Sequence, residues 1–303
     1  MDTPFRIGTR GSPLALTQAN MVRALLAEAT GGEPGDFAIV PIRTTGDRVQ
    51  DRPLAEIGGK ALWTKELDRA LLEGEIDCAV HSMKDVETHR PPAIAIAAIL
   101  ERADVRDRLL GAVSIDALPH GARIGTSSPR RAAQMRHLRP DLAIVPFRGN
   151  VDTRIARLSA NEADATLLAA AGLERLGRDD VGNAIPLEQM LPAPAQGAIG
   201  IEVRADDAAA RALVARIDHA VTHACVMAER ALLAALDADC HSPVAALARI
   251  ADGRLTMRAE LFSEDGAAHV AGEASGDDVT VATRLAQDLL ARAPAAVRAR
   301  FGG

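Results

Sequence analysis

The sequence predicts an α/β protein in which two related α/β domains are followed by a smaller α+β domain. Three observations carry that expectation. Short β-rich runs alternate with helical patterns through about the first 200 residues, as in α/β units around mostly parallel sheets. One ordered set of motifs occurs twice within that stretch. Beyond it, Val244 to Ser275 alternates apolar and polar residues around Asp252-Gly253 and Asp265-Gly266, predicting antiparallel strands, and a helical pattern runs from Asp278 to Ala293.

The repeat starts at the first strand. Arg6-Ile7-Gly8-Thr9 leads to Ser12-Pro13 and a helical run with Gln18 and Met21; Arg123-Ile124-Gly125-Thr126 leads to Ser128-Pro129 and a helical run with Gln134 and Met135. Each Gln falls five residues after its Pro. After the helix, Ala38-Ile39-Val40-Pro41-Ile42-Arg43 is matched by Ala143-Ile144-Val145-Pro146-Phe147-Arg148. Two matches in order predict a duplication. In both copies Ser can cap the first free N–H groups of a helix while Pro takes the first helical position. A single Ser-Pro would only start a helix. Two such helix ends, each with partial positive charge, predict an anionic ligand if the domains face one another.

Between the repeats, Val80-His81-Ser82-Met83-Lys84-Asp85 closes an apolar strand with four polar side chains, at the strand end where α/β folds place ligands. Asp85 is the best carboxylate for acid/base work: among cations it could stabilise a cationic intermediate and pass protons. Its plain alternative is a cap on the next turn. Only three of 35 basic residues are Lys, at positions 60, 65 and 84. Against such an Arg bias, Lys60 and Lys84 read as compact point charges, whereas Lys65 fits an amphipathic helix through Leu67, Leu71 and Leu72.

The net charge is −6, but Gly121 to Arg157 holds eight Arg against two acids, a local +6 that leaves the rest at −12. That concentration predicts a polyanionic partner in the second domain, and the Arg fork suits carboxylates and phosphates alike. Hydrophobic residues make up 48% and aromatics 2%, with no Tyr and one Trp, so the cores must be built from Ala, Leu, Ile and Val. The aromatic platforms of single-stranded nucleic-acid binders are missing, and the acidic balance argues against a nucleic-acid partner. Met1 to Arg10 has no apolar signal core, and the longest apolar run, Ala93 to Leu100, is too short to cross a bilayer. A cytoplasmic protein without a membrane partner is expected.

The three cysteines are odd in number and widely spaced, which fits a reducing compartment. Cys78 lies in a strand pattern and Cys225 in the helical run Ala220 to Leu236, so both read as core. Cys240 stands in the turn-rich Asp237-Ala238-Asp239-Cys240-His241-Ser242-Pro243. There a thiol is a nucleophile, an attachment point or an idle loop cysteine. His219, His223, Cys240 and His241 fit no tight zinc spacing, and no metal is expected. A Walker A loop, a Gly-x-Gly-x-x-Gly turn after a strand and a Gly-x-Ser-x-Gly elbow are all lacking.

Arg6 to Leu16, Thr44 to Asp47, Gly58 to Leu67, His81 to Val86, Gly125 to Arg131, Arg148 to Arg154, Ala171 to Gly177, Gln196 to Glu202 and the Cys240 loop together resemble the hydroxymethylbilane synthase (porphobilinogen deaminase) family. The resemblance implies two periplasmic-binding-protein-like α/β domains around a cleft and a third domain carrying a cysteine on a loop. It implies a transferase of tetrapyrrole (heme) biosynthesis that adds four porphobilinogens head to tail, with loss of ammonia, to give hydroxymethylbilane. A dipyrromethane cofactor, held by a thioether to Cys240, would be the primer. Each ring brings an acetate and a propionate, which accounts for the arginines.

By the same resemblance, Asp85 would stabilise the charged pyrroles and manage protons at the ring nitrogens. Ser82, Lys84, Thr126, Ser127, Ser128, Arg130 and Arg131 would hold cofactor carboxylates, with Gly197 beside them at the domain crossover. Arg10, Ser12, Arg148, Arg154, Arg175 and Gln196 would receive substrate and the growing chain. Lys60 and Trp63, in the loop after Thr45, would close the cleft, Trp63 replacing a more usual Phe. The sequence departs from the family pattern at Glu56 (commonly Lys), Glu87 (Pro), and Ala195, Asp239 and Ala245 (each often Gly).

Domain 1 is expected over 1–100 and 198–218, domain 2 over 104–193 and domain 3 over 219–303, with crossings near Arg102 and at Leu191 to Ala195, marked by Pro192 and Pro194. The protein is expected to act as a monomer. The alternative from another class is a solute-binding protein for an anion, using the same cleft without chemistry; it leaves Cys240 unexplained and lacks an export signal. The effector half of a transcription regulator would need an appended DNA-reading domain, which the sequence lacks.

Overall fold

In the computed structural model, which describes residues 3–43 and 64–301, the chain divides into two compact units, Met1–Arg102 with Ala198–His223, and Ala103–Gly197 with Ala224–Gly303. The first unit is built from β1 (Phe5–Arg10), α1 (Pro13–Thr30), β2 (Phe37–Ile42), α2 (Lys65–Leu72), β3 (Cys78–Ser82) and β4 (Ile94–Ile99), together with the returning strand at Ile199–Arg204. Its sheet has the order β2-β1-β3, then the returning strand, then β4. The first three strands are parallel, and the returning strand runs antiparallel to both of its neighbours.

Alternate residues of a strand face opposite sides of a sheet, and both sides here are apolar. Val22 and Leu26 of α1 pack on Ile7, Cys78, Val80, Ile199 and Ile201, while Leu67 and Leu71 of α2 join Ile76, Ala79 and Ile94 in a second cluster. Cys78 is therefore a core residue, and burial pushes its thiol well above the ordinary range.

The second unit begins with the same design. It has β5 (Asp107–Leu110), β6 (Arg123–Gly125), α3 (Pro129–Leu138), β7 (Ala143–Val145), α4 (Val151–Ser159), β8 (Ala165–Ala169), α5 (Ala170–Arg175) and β9 (Asn183–Ala184) in the order β7-β6-β8-β5-β9. Second, first and third repeat strands, an antiparallel strand and a fourth strand thus follow one another in both sheets. With the returning strand named β10, the correspondence is complete. The duplication extends to contacts: Arg6 donates from its backbone N and guanidinium to Asp77, and Arg123 donates from the same three atoms to Asp164. Each clasp fastens the start of the first repeat strand to the residue leading into the third.

Helix α6 (Ala208–Val214) follows β10, and α7 (Ala220–Ala235) leads to β11 (Val244–Ala251), β12 (Arg254–Phe262), β13 (His269–Gly276), α8 (Thr280–Arg292) and α9 (Ala295–Arg298). The expected antiparallel sheet forms in the order β11-β12-β13. Its first turn places Asp252 and Gly253 at φ of 51° and 74°, the left-handed pair such a hairpin requires. Leu232, Leu285 and Leu289 cover one face with Val244, Ala246, Met257 and Leu261, while Ala245 and Leu247 of β11 pack from the other face with Leu191. Ala245, where the family often has Gly, is fully buried in a regular strand. Among the described residues no helix is long and apolar enough to cross a membrane.

Candidate active site

In the first unit the polar side chains gather where β1 and β3 end and α1 begins. Ser12 caps α1 by accepting from the Ala15 N–H at 3.3 Å, with Pro13 as the first helical residue. Buried Gln18 donates from Nε2 to Ser82 Oγ at 2.8 Å, tying helix to strand end. Beyond Ser82 the chain makes a 3₁₀ turn, Met83–Asp85. Its anchor is Met83, 1% exposed, beside Gly200, where a Cβ would lie 2.0 Å from the Met83 sulfur. The anchored turn leaves Lys84 and Asp85 half-buried, and Asp85 lines a pocket with Arg10, Ser12, Gln18, Thr64, His81 and Ser82. Four expected residues, Arg10, Ser12, Ser82 and Asp85, are brought together there.

Behind the pocket lies a buried charge network that the sequence reading did not single out. His81 Nε2 is 3.1 Å from Glu202 Oε2, and Arg90 donates to both Glu202 oxygens at 2.8 Å, to Asp68 at 2.5 Å and to Glu87 at 2.7 Å. Burial pushes the Glu202 carboxyl up, but His81 and Arg90 outweigh it and hold it at about 2. The available signal was an acid inside the apolar run Ile199-Gly200-Ile201-Glu202-Val203, since a fully buried charge needs a partner. Glu87, commonly Pro in the family, also accepts from Thr64 Oγ1 at 2.8 Å.

In the second unit, Ser128 caps α3 by accepting from Arg131 N at 3.4 Å, and its own N–H donates to Thr126 Oγ1 at 3.1 Å. Ser127 is exposed between them. Arg130 and Arg131 are buried in the first turn of α3 and converge on one carboxylate: Arg130 reaches Asp107 Oδ2 at 2.5 Å and Arg131 reaches Oδ1 at 2.7 Å. Gln196, fully buried, donates to the same Oδ1 at 2.9 Å and to Val105 O at 2.8 Å. Burial pushes Asp107 up, but the two guanidiniums outweigh it and hold the carboxyl well below the usual range. Asp107 was missed in the sequence because it opens an ordinary short strand.

The arginine-rich stretch is less bare than its sequence count suggests. Arg123 pairs with Asp164, Arg139 with Asp141 and Arg157 with Glu162. Two of those three acids lie outside the stretch, so the local +6 overstates the charge left for a ligand. Arg154 donates to Gly149 O at 3.1 Å, and Arg175 donates from Nη2 to Gly197 O at 2.6 Å. Desolvation draws the Arg175 guanidinium down to about 10.

One property sets four of these arginines apart. Arg130 Nε, Arg131 Nε, Arg148 Nη1 and Arg175 Nε are buried without a hydrogen-bond partner among the described residues. A buried donor without an acceptor is costly, and guanidinium donors match carboxylates best. The donor set therefore fits a group rich in carboxylates, as dipyrromethane is.

Cys240 is exposed, in the loop between α7 and β11. Asp239 shapes that loop: its Oδ1 accepts from His241 N at 2.8 Å, and its N–H donates to Ser242 Oγ at 3.1 Å. The left-handed residue is Asp237, at φ of 47°, so the loop does not need the family's glycine at position 239. His219 and His223 turn their Nδ1 atoms to Thr222 and Asp218, both at 2.8 Å. Among the described residues no cluster of three or more potential ligands could hold a metal ion. Glu56, Lys60 and Trp63 lie outside the described residues.

Comparison with known proteins agrees with this donor set. The family described as "Porphobilinogen deaminase, dipyromethane cofactor binding domain" matches residues 5–212, and "Porphobilinogen deaminase, C-terminal domain" matches 223–293. The chain is 61% identical over 306 aligned positions to the porphobilinogen deaminase of Sphingopyxis alaskensis, covering 99% of this chain and 97% of that one. It is 50% identical to that of Paracoccus denitrificans, covering 96% and 95%. Among solved structures, a TRAP periplasmic solute binding protein from Desulfovibrio salexigens aligns with 72% of this chain and 73% of its own at 9% identity and a TM-score of 0.42. The chain belongs to the porphobilinogen deaminase family.

Proposed function

We propose that this chain is a transferase that joins four porphobilinogen molecules head to tail, with release of ammonia, on a dipyrromethane primer attached through a thioether to Cys240. The observation that carries this reading is the set of buried, unpartnered guanidinium donors on Arg130, Arg131, Arg148 and Arg175. The bound dipyrromethane would supply the pyrrole to which the first substrate ring is added. Ser82, Lys84, Thr126, Ser127, Ser128, Arg130 and Arg131 would hold its acids, with Gly197 beside them. Arg10, Ser12, Arg148, Arg154, Arg175 and Gln196 would take those of porphobilinogen and the elongating chain.

Asp85, half-buried in a pocket beside Arg10, is the carboxylate suited to developing positive charge. It would hold the proton of a substrate pyrrole nitrogen while ammonia departs, and water exclusion would strengthen that interaction. Exposure of Cys240 supports attachment, because thioether formation needs a reachable sulfur. The same reading includes a cytoplasmic monomer without a nucleic-acid partner, three domains at 1–100 with 198–218, 104–193 and 219–303, and loop closure by Lys60 and Trp63.

Intact mass after native purification tests it. The wild type should carry an adduct of two linked pyrroles, absent from Cys240→Ser; an unmodified wild type with full turnover would reject the attachment. Asp85→Ala should keep the fold and the adduct but lose turnover by about a hundredfold or more. Near-normal turnover there would remove Asp85 from the chemistry.

A further inference from the structure

The crossover that ends the second unit's first segment is strained and pinned. Ala195 is 2% exposed and sits at φ of 61°, a left-handed conformation that disfavours any residue with a Cβ. Its N–H donates to Glu229 Oε2 at 2.5 Å. The other carboxylate oxygen, Oε1, accepts from Ala248 N of β11 at 2.8 Å. Glu229 itself is fully buried on α7. The two residues after Ala195 meet the candidate site: Arg130 Nη2 reaches Gln196 Oε1 at 3.5 Å, and Arg175 Nη2 reaches Gly197 O at 2.6 Å.

We infer that Glu229 is a positioning residue for Arg175 and Arg130, acting by holding the left-handed turn at Ala195 that presents Gln196 and Gly197 to them. The inference rests on the proposed activity and extends it to a residue that touches no substrate. A carboxylate offers an acceptor to each of two backbone donors; a glutamine offers one acceptor and one competing donor. Glu229→Gln must therefore release Ala195 or Ala248. Glycine adopts the left-handed conformation without penalty, so Ala195→Gly should let the turn persist with a weakened clamp.

Steady-state kinetics on porphobilinogen, with intact mass and melting temperature, separate this role from a merely structural one. Glu229→Gln should keep the Cys240 adduct, raise KM about tenfold and change kcat by less than about threefold, as loss of binding geometry predicts. Ala195→Gly should melt higher with wild-type KM, and the double variant should return KM to within about twofold of wild type. A Glu229 that only braces β11 would lower the melting temperature, leave KM in place and gain nothing kinetic from Ala195→Gly; that pattern overturns the inference. Should Glu229→Gln not fold, Ala195→Val places a β-branched residue at the same φ with the clamp intact. It should raise KM, and a wild-type KM there overturns the inference equally. A wild-type chain without adduct or turnover would overturn the proposed activity and this role with it, whereas an active wild type with unmoved variants overturns the role alone.

Discussion

Gly197 shows how little freedom single residues of the second unit have. At φ of 85°, a Cβ there would lie 2.7 Å from Ala103 O. Gly197→Ala should cost about 1–2 kcal/mol for the left-handed backbone alone and more for the overlap, read as a lower urea midpoint with unchanged slope. Asp107 faces a larger penalty. Asp107→Asn leaves Arg130 and Arg131 buried without their shared counter-charge, and loss of one member of a buried ion pair costs about 3–5 kcal/mol. Unfolding in urea checks this, and a loss under about 1 kcal/mol would mean that ligand, not Asp107, neutralises the pair. The places of Asp85, at a strand end, and of Cys240, in an exposed loop, were legible in the sequence because polar residues close an apolar run at the one and turn residues crowd the other. Asp107 was not, because its partners lie 23 and 24 residues along the chain and nothing in Asp107-Arg108-Leu109-Leu110 marks the acid as central.

At the scale of elements, the repeat was readable because it is written in residues with fixed conformational roles. Ser12 and Ser128 cap their helices as Ser-Pro implies, and Arg6 and Arg123 make the same clasp. Ser128→Ala should cost about 1 kcal/mol of stability, checked by thermal unfolding. Because α3 carries Arg130 and Arg131 in its first turn, fraying there should also loosen them. The arginine-rich stretch carries less free charge than its count implies for a complementary reason: folding brings acids from outside the segment, Asp164 to Arg123 and Glu162 to Arg157. The strain at Ala195 leaves no mark in composition or periodicity; its one signal is an Ala where the family often has Gly, the residue that takes a left-handed φ without strain.

For the molecule as a whole, the buried carboxylates set the response to acid. Glu202 titrates at about 2 in the folded protein against an ordinary 4.5, and Asp107 is depressed as well. A lowered folded pKa gives stability that is fully present above the ordinary value and lost as pH falls through the folded one. Melting temperature should therefore drop between about pH 4.5 and 2 while changing little between pH 6 and 8 through these groups. Glu202→Gln should be less stable at neutral pH, because it removes the fully buried one of the three carboxylates paired with Arg90, and its stability should fall less steeply in acid. Both α/β sheets and the C-terminal hairpins were legible, since periodicity and turn residues specify them; the polar networks beneath were not, because they join residues far apart in sequence. The placement of β10 between β3 and β4 has a last consequence for how the protein is born. On the ribosome, the first sheet cannot close when residue 100 emerges, because the strand that bonds β4 to the others is encoded a hundred residues later. The sheet of β5 to β9 is contiguous in translation and can be finished first, so the amino-terminal segment must wait for its own missing piece.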